Sequence, residues 1–131
     1  MIRAIKSMLP RQPIALILHI PGWLVLATSQ VAMALRKHPG RKVVNIPYYA
    51  MSRGVLITLV ADEIVMNPDA VLGPLDSQIQ VCDTVYSASS LVKTAKLKGR
   101  DAGDDMMVLA NVAEKVIEEL QGLIVKLLED G

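Results

Sequence analysis

Hydrophobic residues along the chain alternate between short continuous runs and stretches with helical spacing. Residues 14–19 are apolar up to a terminal histidine, which is typical of a strand buried on both faces of a parallel sheet. Three further runs predict two strands and a brief extended piece, at Lys42–Ile46, Glu63–Met66 and residues 70–72. Helices are predicted after Pro21-Gly22, up to the stop at His38-Pro39-Gly40, and over residues 54–61. This alternation predicts an α/β fold with a mainly parallel sheet.

The last third of the chain has the spacing of helices. Residues 86–98 predict one helix, and Asp104 is placed to cap a second, longer one. The apolar positions of the long helix alternate in steps of three and four: 106, 109, 113, 116, 120, 123 and 127. Four more apolar residues widen this stripe: Val112, Ile117, Ile124 and Leu128. Such a stripe packs either between two layers or against a second subunit, and we favour the subunit interface of a homo-oligomer.

Composition narrows the class of protein. The 131 residues suit a single domain over 1–131, and 52% apolar with 21% charged residues excludes a disordered chain. One cysteine excludes an internal disulfide, and a net charge of +1 with four aromatic residues argues against a nucleic-acid partner. The longest apolar run is far shorter than the ~20 residues of a membrane span, so we expect a cytoplasmic protein, membrane-associated only if an N-terminal part is missing.

The residues that could carry chemistry follow the first two predicted strands, where open α/β sheets bind their ligands. Gly22 can present a backbone N–H that stabilises an oxyanion. Ser52 lies between a strand and a helix, on the kind of sharp turn that exposes a nucleophilic hydroxyl. A serine at this position is also a common helix cap, and the residue pattern leaves both interpretations open.

A nucleophilic serine needs a base, and the sequence offers few. His38, in its helix-terminating turn, is expected to be a solvated cap, and His19 to be a structural residue that shapes its loop. Lys93 is the remaining candidate, although a helical lysine commonly extends into water. Cys82 is expected to be a small buried apolar residue. No GxxxxGK or GxGxxG motif is present and the acidic residues read as solvated charges, so no cofactor and no metal are expected.

Four segments follow one another along the chain: Ile-Ala-Leu-Ile-Leu-His-Ile-Pro-Gly at 14–22, His-Pro-Gly at 38–40, Ile-Pro-Tyr-Tyr-Ala-Met-Ser-Arg-Gly at 46–54, and the run from Ala61 to Gln78. Together they resemble the serine dehydrogenase proteinase family, the ClpP-class peptidases of the ClpP/crotonase fold. The resemblance runs from about Ile5 to about Leu120, and more distantly includes signal-peptide peptidase A-like Ser–Lys proteases.

This resemblance implies a spiral of ββα units, truncated at both ends and followed by a long C-terminal helix, that assembles into oligomers. It also implies an ATP-independent serine protease, a hydrolase that cleaves polypeptide substrates with a Ser–Lys dyad. Ser52 matches the family's nucleophile, and Lys93, in Ser-Leu-Val-Lys, falls where related peptidases keep their general base. The N–H groups of Gly22 and Arg53 would form the oxyanion hole.

The chain departs from the family pattern beside this site. Trp23 replaces the second glycine of Thr-Pro-Gly-Gly, and Arg53 replaces the first glycine after the serine, leaving Gly54 as the second. Family members also extend further at both ends, so we expect a fragment, a natural short form, or subunits that complete one another's sheet. Two alternative functions follow: a catalytically inactive homologue that serves as an oligomeric binding module, and crotonase-like handling of an acyl-CoA.

Overall fold

The computed structural model describes residues 1–21 and 25–129, which fall into two units by their internal contacts. The first unit is Met1–Leu75 with the chain from Ile124 on, and the second is Asp76–Leu123. The first unit contains, in chain order, α1 (Ile2–Ser7), β1 (Ile14–Ile17), α2 (Val25–Lys37), β2 (Lys42–Ile46), β3 (Tyr49–Ala50), α3 (Gly54–Leu59), β4 (Glu63–Met66) and β5 (Val71–Leu72).

The main sheet of the first unit is parallel, as the sequence predicted. Its order is β1-β2-β4, with Ala15 opposite Val43 and Val44 opposite Ile64. A second parallel pair, β3 with β5, aligns Tyr49 with Val71 and Ala50 with Leu72. The buried apolar residues of this unit lie mainly on α2, β2 and α3: Val31, Ala32, Leu35, Val44, Ile46, Leu56 and Ile57.

Strand β1 is shorter and more exposed than its apolar sequence predicted. Only Ile14 is buried within it, and Ile17 is 75% exposed. The prediction of a strand covered on both faces is therefore wrong for the described part of the chain, where β1 and β4 are the outer strands of the sheet. Continuous apolar sequence does not distinguish a central strand from an edge strand whose faces remain open.

His38 is buried, contrary to the solvated cap that the sequence predicted. Helix α2 does end at Lys37, before the His-Pro-Gly segment. The ring Nε2–H of His38 donates a hydrogen bond to the Gln12 carbonyl (2.6 Å), and the residue is only 7% exposed. A partner 26 residues away in sequence gives this buried imidazole its hydrogen bond.

The second unit pairs an antiparallel hairpin with helices. It contains β6 (Gln78–Val81), β7 (Thr84–Ser87), α4 (Ala88–Lys98), a 3-10 turn (Gly99–Asp101) and most of α5 (Asp104–Glu129). Its core is formed by Ala88, Leu91 and Ala113. A helix was predicted over residues 86–98, and the observed helix α4 begins two residues later, because Tyr86 and Ser87 belong to the hairpin. Cys82 lies in the hairpin turn and is exposed, so the buried position predicted for it is wrong.

Helix α5 covers the stripe that the three-four spacing indicated, with three of its seven positions buried and the other four half-buried. Ala113, Leu120 and Leu127 are buried, whereas Val112 and Leu128, at 43% and 53% exposure, lie outside the covered face. None of the helices in residues 1–21 and 25–129 combines the length and apolar character needed to cross a membrane.

The pairing of β4 with β2 has a pH-sensitive electrostatic component at Asp62. The backbone N–H of Lys42 donates to its carboxylate (2.7 Å) and the Lys42 ammonium lies 3.1 Å away, so both hold the pKa of Asp62 below its ordinary value. A lowered folded-state pKa gives stability above the unfolded pKa of about 4, which is lost as the pH falls through the folded value.

We therefore expect Asp62→Asn to lower the free energy of unfolding by about 0.5 kcal/mol at neutral pH, a small value because the pair is exposed to water. The difference should shrink as the pH is lowered from 7 towards 2, because the folded-state carboxyl takes up its proton as the pH falls through its lowered pKa. Urea unfolding of both proteins at the two pH values measures it. An equal difference at both values would show that the charge of Asp62 is not the cause.

Candidate active site

The chain segment that leads to Ser52 is held on both sides by backbone hydrogen bonds. On one side, the Ile20 N–H donates to the Tyr49 carbonyl (3.3 Å) and the Met51 N–H donates to the Ile20 carbonyl (2.9 Å). On the other side, the Gly73 N–H donates to the Ala50 carbonyl (2.9 Å). The turn at Ser52 therefore begins from a fixed point at the carboxyl ends of the strands.

Ser52 has a left-handed backbone conformation, with φ of +50°. Left-handed φ costs a non-glycine residue about 1–2 kcal/mol, and such strain is concentrated at functional sites. The residue lies between β3 and α3 and is half-buried. This is the strand-turn-helix context in which a nucleophilic serine is expected.

Hydrogen bonds within the turn fix its shape after Ser52. Gly54 N–H donates to the Met51 carbonyl (3.0 Å), and Val55 N–H donates to the Ser52 carbonyl (3.1 Å). Arg53 caps α3 without a side-chain hydrogen bond to the helix end, and its side chain is buried at 8% exposure. The long side chain of Arg53 is thus packed into the protein.

Two glycines permit close packing around this turn. A Cβ on Gly54 would lie 3.2 Å from the Cβ of Ile20, which is tighter than ordinary contacts. A Cβ on Gly73 would lie 2.7 Å from Met51 Sδ and 3.0 Å from Met51 Cα. Because Met51 immediately precedes Ser52, a larger residue at position 73 would displace the turn itself.

The predicted oxyanion hole is only partly within the described residues. Arg53 lies at the start of α3, where backbone N–H groups face outward from a helix end. Gly22 and the neighbouring Trp23 lie outside the described residues. The pairing of the Gly22 and Arg53 N–H groups remains a prediction.

His19 follows β1 and is exposed beside two tyrosines. Its ring centroid lies 4.4 Å from that of Tyr49 and 5.6 Å from that of Tyr48, the latter edge-on. These contacts place His19 against both rings, and its loop-shaping role stays a prediction. They also define an aromatic surface next to the Ser52 turn. The sequence analysis did not predict this surface, although the Tyr48-Tyr49 pair before the serine motif could have indicated it.

Lys93 belongs to the second unit. It lies on α4, two residues after the buried Leu91, and its side chain is exposed. The N-terminal end of α4, which precedes Lys93, is fixed by a hydrogen-bond network that the sequence analysis did not predict. The Asp76 carboxylate accepts from the hydroxyls of Ser87 and Ser89, and Ser87 Oγ accepts from the Ser90 N–H.

This network gives the helix of Lys93 a defined starting point. A serine N-cap of this kind stabilises a helix by about 1 kcal/mol, and the carboxylate orients the capping hydroxyl. The signal available in the sequence was Ser87, which precedes Ser90 by three residues, together with an aspartate before the hairpin.

Within residues 1–21 and 25–129, no three His, Cys, Asp or Glu side chains form a group that could hold a metal.

Comparison with known proteins gives a consistent match. The sequence model of the ClpP-like SDH-type serine proteinase family matches residues 1–131. The uncharacterized protein MJ0137 of Methanocaldococcus jannaschii is 46% identical over 130 residues, which are 98% of this chain and 44% of that protein. The uncharacterized protein MJ1495 of the same organism is 41% identical over 129 residues, 98% of this chain and 43% of that protein. The chain spans less than half the length of these curated relatives.

The strain at Ser52 predicts an unusual order of stability among variants. We expect Ser52→Gly to be more stable than Ser52→Ala by about 0.5–1 kcal/mol, because glycine adopts positive φ without steric cost. Both variants lack the hydroxyl, so the comparison isolates the backbone. Thermal or urea unfolding measures the difference.

The matched control is Thr94, a residue inside α4. There Ala should be more stable than Gly by about 1 kcal/mol. The same order at position 52 as at position 94 would show that Ser52 carries no backbone strain.

Proposed function

Because the chain belongs to the ClpP-like SDH-type serine proteinase family, we propose that it is an ATP-independent serine peptidase with a Ser52–Lys93 dyad. The observation that carries the proposal is the left-handed φ of Ser52 at the turn between β3 and α3. A cap residue has no need of this strain, whereas a nucleophile gains an exposed and directed hydroxyl from it.

The proposed reaction proceeds through an acyl-enzyme. The neutral amine of Lys93 takes the Ser52 proton as the hydroxyl oxygen attacks the peptide carbonyl. The oxyanion of the tetrahedral intermediate accepts hydrogen bonds from the backbone N–H groups of Gly22 and Arg53. Lys93 then gives the proton to the leaving amine, and a water molecule, deprotonated by the same amine, releases the acid and regenerates Ser52.

The other residues of the turn have supporting roles in this proposal. His19 shapes the loop after β1, and Gly54 allows α3 to approach Ile20 closely. The Asp76–Ser87 contact fixes the start of the helix that carries Lys93. No metal ion or organic cofactor takes part.

The proposal for the whole chain is a single ClpP/crotonase-like domain built as a spiral of ββα units, working as a cytoplasmic homo-oligomer on polypeptide substrates. Support for assembly comes from the apolar residues exposed on α5, which include Met107, Val108 and Val112 at 43–62% exposure. Surfaces of this kind commonly mark interfaces.

A second candidate function is that of a catalytically inactive homologue which serves as an oligomeric binding module. The observation that favours it is Arg53, which follows the serine where the family motif has glycine. Its expected behaviour is a stable oligomer without hydrolysis.

Steady-state cleavage of an unstructured fluorogenic polypeptide tests the dyad. We expect Lys93→Ala to reduce kcat/KM by about 10²–10⁴, the usual contribution of a general base. The matched control Lys98→Ala, also an exposed lysine of α4, should leave the rate unchanged.

Equal effects of the two lysine variants on kcat/KM would contradict the role of Lys93. An oligomeric wild-type protein, shown by light scattering, that hydrolyses nothing would favour the inactive binding module instead.

A further inference from the structure

An open cavity of about 620 Å³ lies beside the Ser52 turn in the first unit. Its lining combines aromatic rings with one carboxylate: His19, Pro47, Tyr48, Tyr49, Asn67, Asp69 and Val71. No lysine or arginine is among these lining residues. Aromatic faces and a carboxylate are the groups that attract an organic cation.

Asp69 is set apart from the other two acidic residues of the segment 1–75. Residues 1–75 contain eight Lys and Arg against three acids, so most carboxylates there have nearby cations. Asp62 pairs with Lys42 and Glu63 pairs with Arg41. In the described part of the chain, Asp69 forms neither an ion pair nor a side-chain hydrogen bond, and it is exposed.

Backbone hydrogen bonds hold the cavity walls in position. Val71 N–H donates to the Tyr48 carbonyl (2.9 Å), which ties the segment after β4 to the tyrosine pair. Ala70 N–H donates to the Asn67 carbonyl (2.9 Å), closing the turn that carries Asp69. The rings are packed together through His19. The cavity is therefore a formed feature of this unit.

The cavity lies within reach of the proposed nucleophile. Tyr49 precedes Ser52 by three residues, and three residues of chain span at most about 10 Å. An extended polypeptide advances by the same length over three residues. A side chain within about three positions of the bond that Ser52 attacks can thus enter the cavity.

We propose that this cavity is a specificity subsite which binds a cationic side chain, lysine or arginine, of the substrate polypeptide. The inference rests on the proposed peptidase function and adds its substrate class. The side chain enters with its ammonium or guanidinium group beside Asp69 and its alkyl chain against Tyr48 and Tyr49. Unmodified peptides that lack a basic residue near the scissile bond are then poorer substrates.

The test uses one fluorescein-labelled peptide sequence in which a single position, scanned along the peptide, carries Lys, Arg, norleucine or Glu. Norleucine is the matched control, since it keeps the alkyl chain of lysine and lacks the ammonium group. Anisotropy with the full Ser52→Ala chain measures binding without cleavage, and kcat/KM with wild type measures selectivity.

We expect Lys and Arg peptides to bind about fivefold more tightly than the norleucine peptide at one or two positions, and the preference to weaken with added salt. Asp69→Asn should remove most of this preference, and Tyr48→Leu should reduce it about threefold. Glu118→Gln, an exposed carboxylate that does not line the cavity, should leave it intact.

Equal binding of the Lys and norleucine peptides at every position, or a preference that survives Asp69→Asn, would overturn the subsite. These outcomes are distinguishable from failure of the peptidase function. Hydrolysis without a preference for cationic side chains would contradict only the proposed subsite. A preference in binding without any hydrolysis would contradict only the proposed peptidase function.

Discussion

The chain around Ser52 depends on one constraint: the segment before it is hydrogen-bonded on two sides. On one side, the backbone of Ile20 is hydrogen-bonded to Tyr49 and Met51. On the other side, the backbone of Gly73 is hydrogen-bonded to Ala50. The chain must then reverse into α3 within a few residues, and the left-handed φ of Ser52 accomplishes the reversal. The parallel register of β1, β2 and β4 brings His19 and the tyrosines to the same end of the sheet. The strained turn and the aromatic cavity are consequences of that arrangement.

Each half of the proposed dyad is positioned by its own local structure. In the first unit, tight glycine packing at positions 54 and 73 leaves the Ser52 turn little freedom to relax. In the second unit, the Asp76–Ser87 contact defines where the helix of Lys93 begins. The family that matches the chain is one of ClpP-like serine proteinases. The exposed apolar residues of α5 support the proposed assembly.

Much of the fold followed from local sequence, and the exceptions have physical reasons. The bounds of β2 and β4 and the covered face of α5 were predictable, because strand runs and helical spacing are local signals. The burial of His38 was not, since its partner Gln12 is remote in sequence. The exposure of Cys82 follows from its place in the turn between β6 and β7, which its residue type does not indicate. Ser52 was predicted as the nucleophile from its motif and its place between a strand and a helix, whereas the subsite proposed around Asp69 rests on which carboxylates are already paired.

The most direct test of the central claim is the covalent reactivity of Ser52 towards a fluorophosphonate. Intact-mass spectrometry of the labelled chain, followed by peptide mapping, identifies the modified residue. The proposed mechanism predicts a single adduct on Ser52 that is absent in Ser52→Ala and forms more slowly in Lys93→Ala. A folded wild-type protein that acquires no adduct, or one modified at another serine, would contradict it.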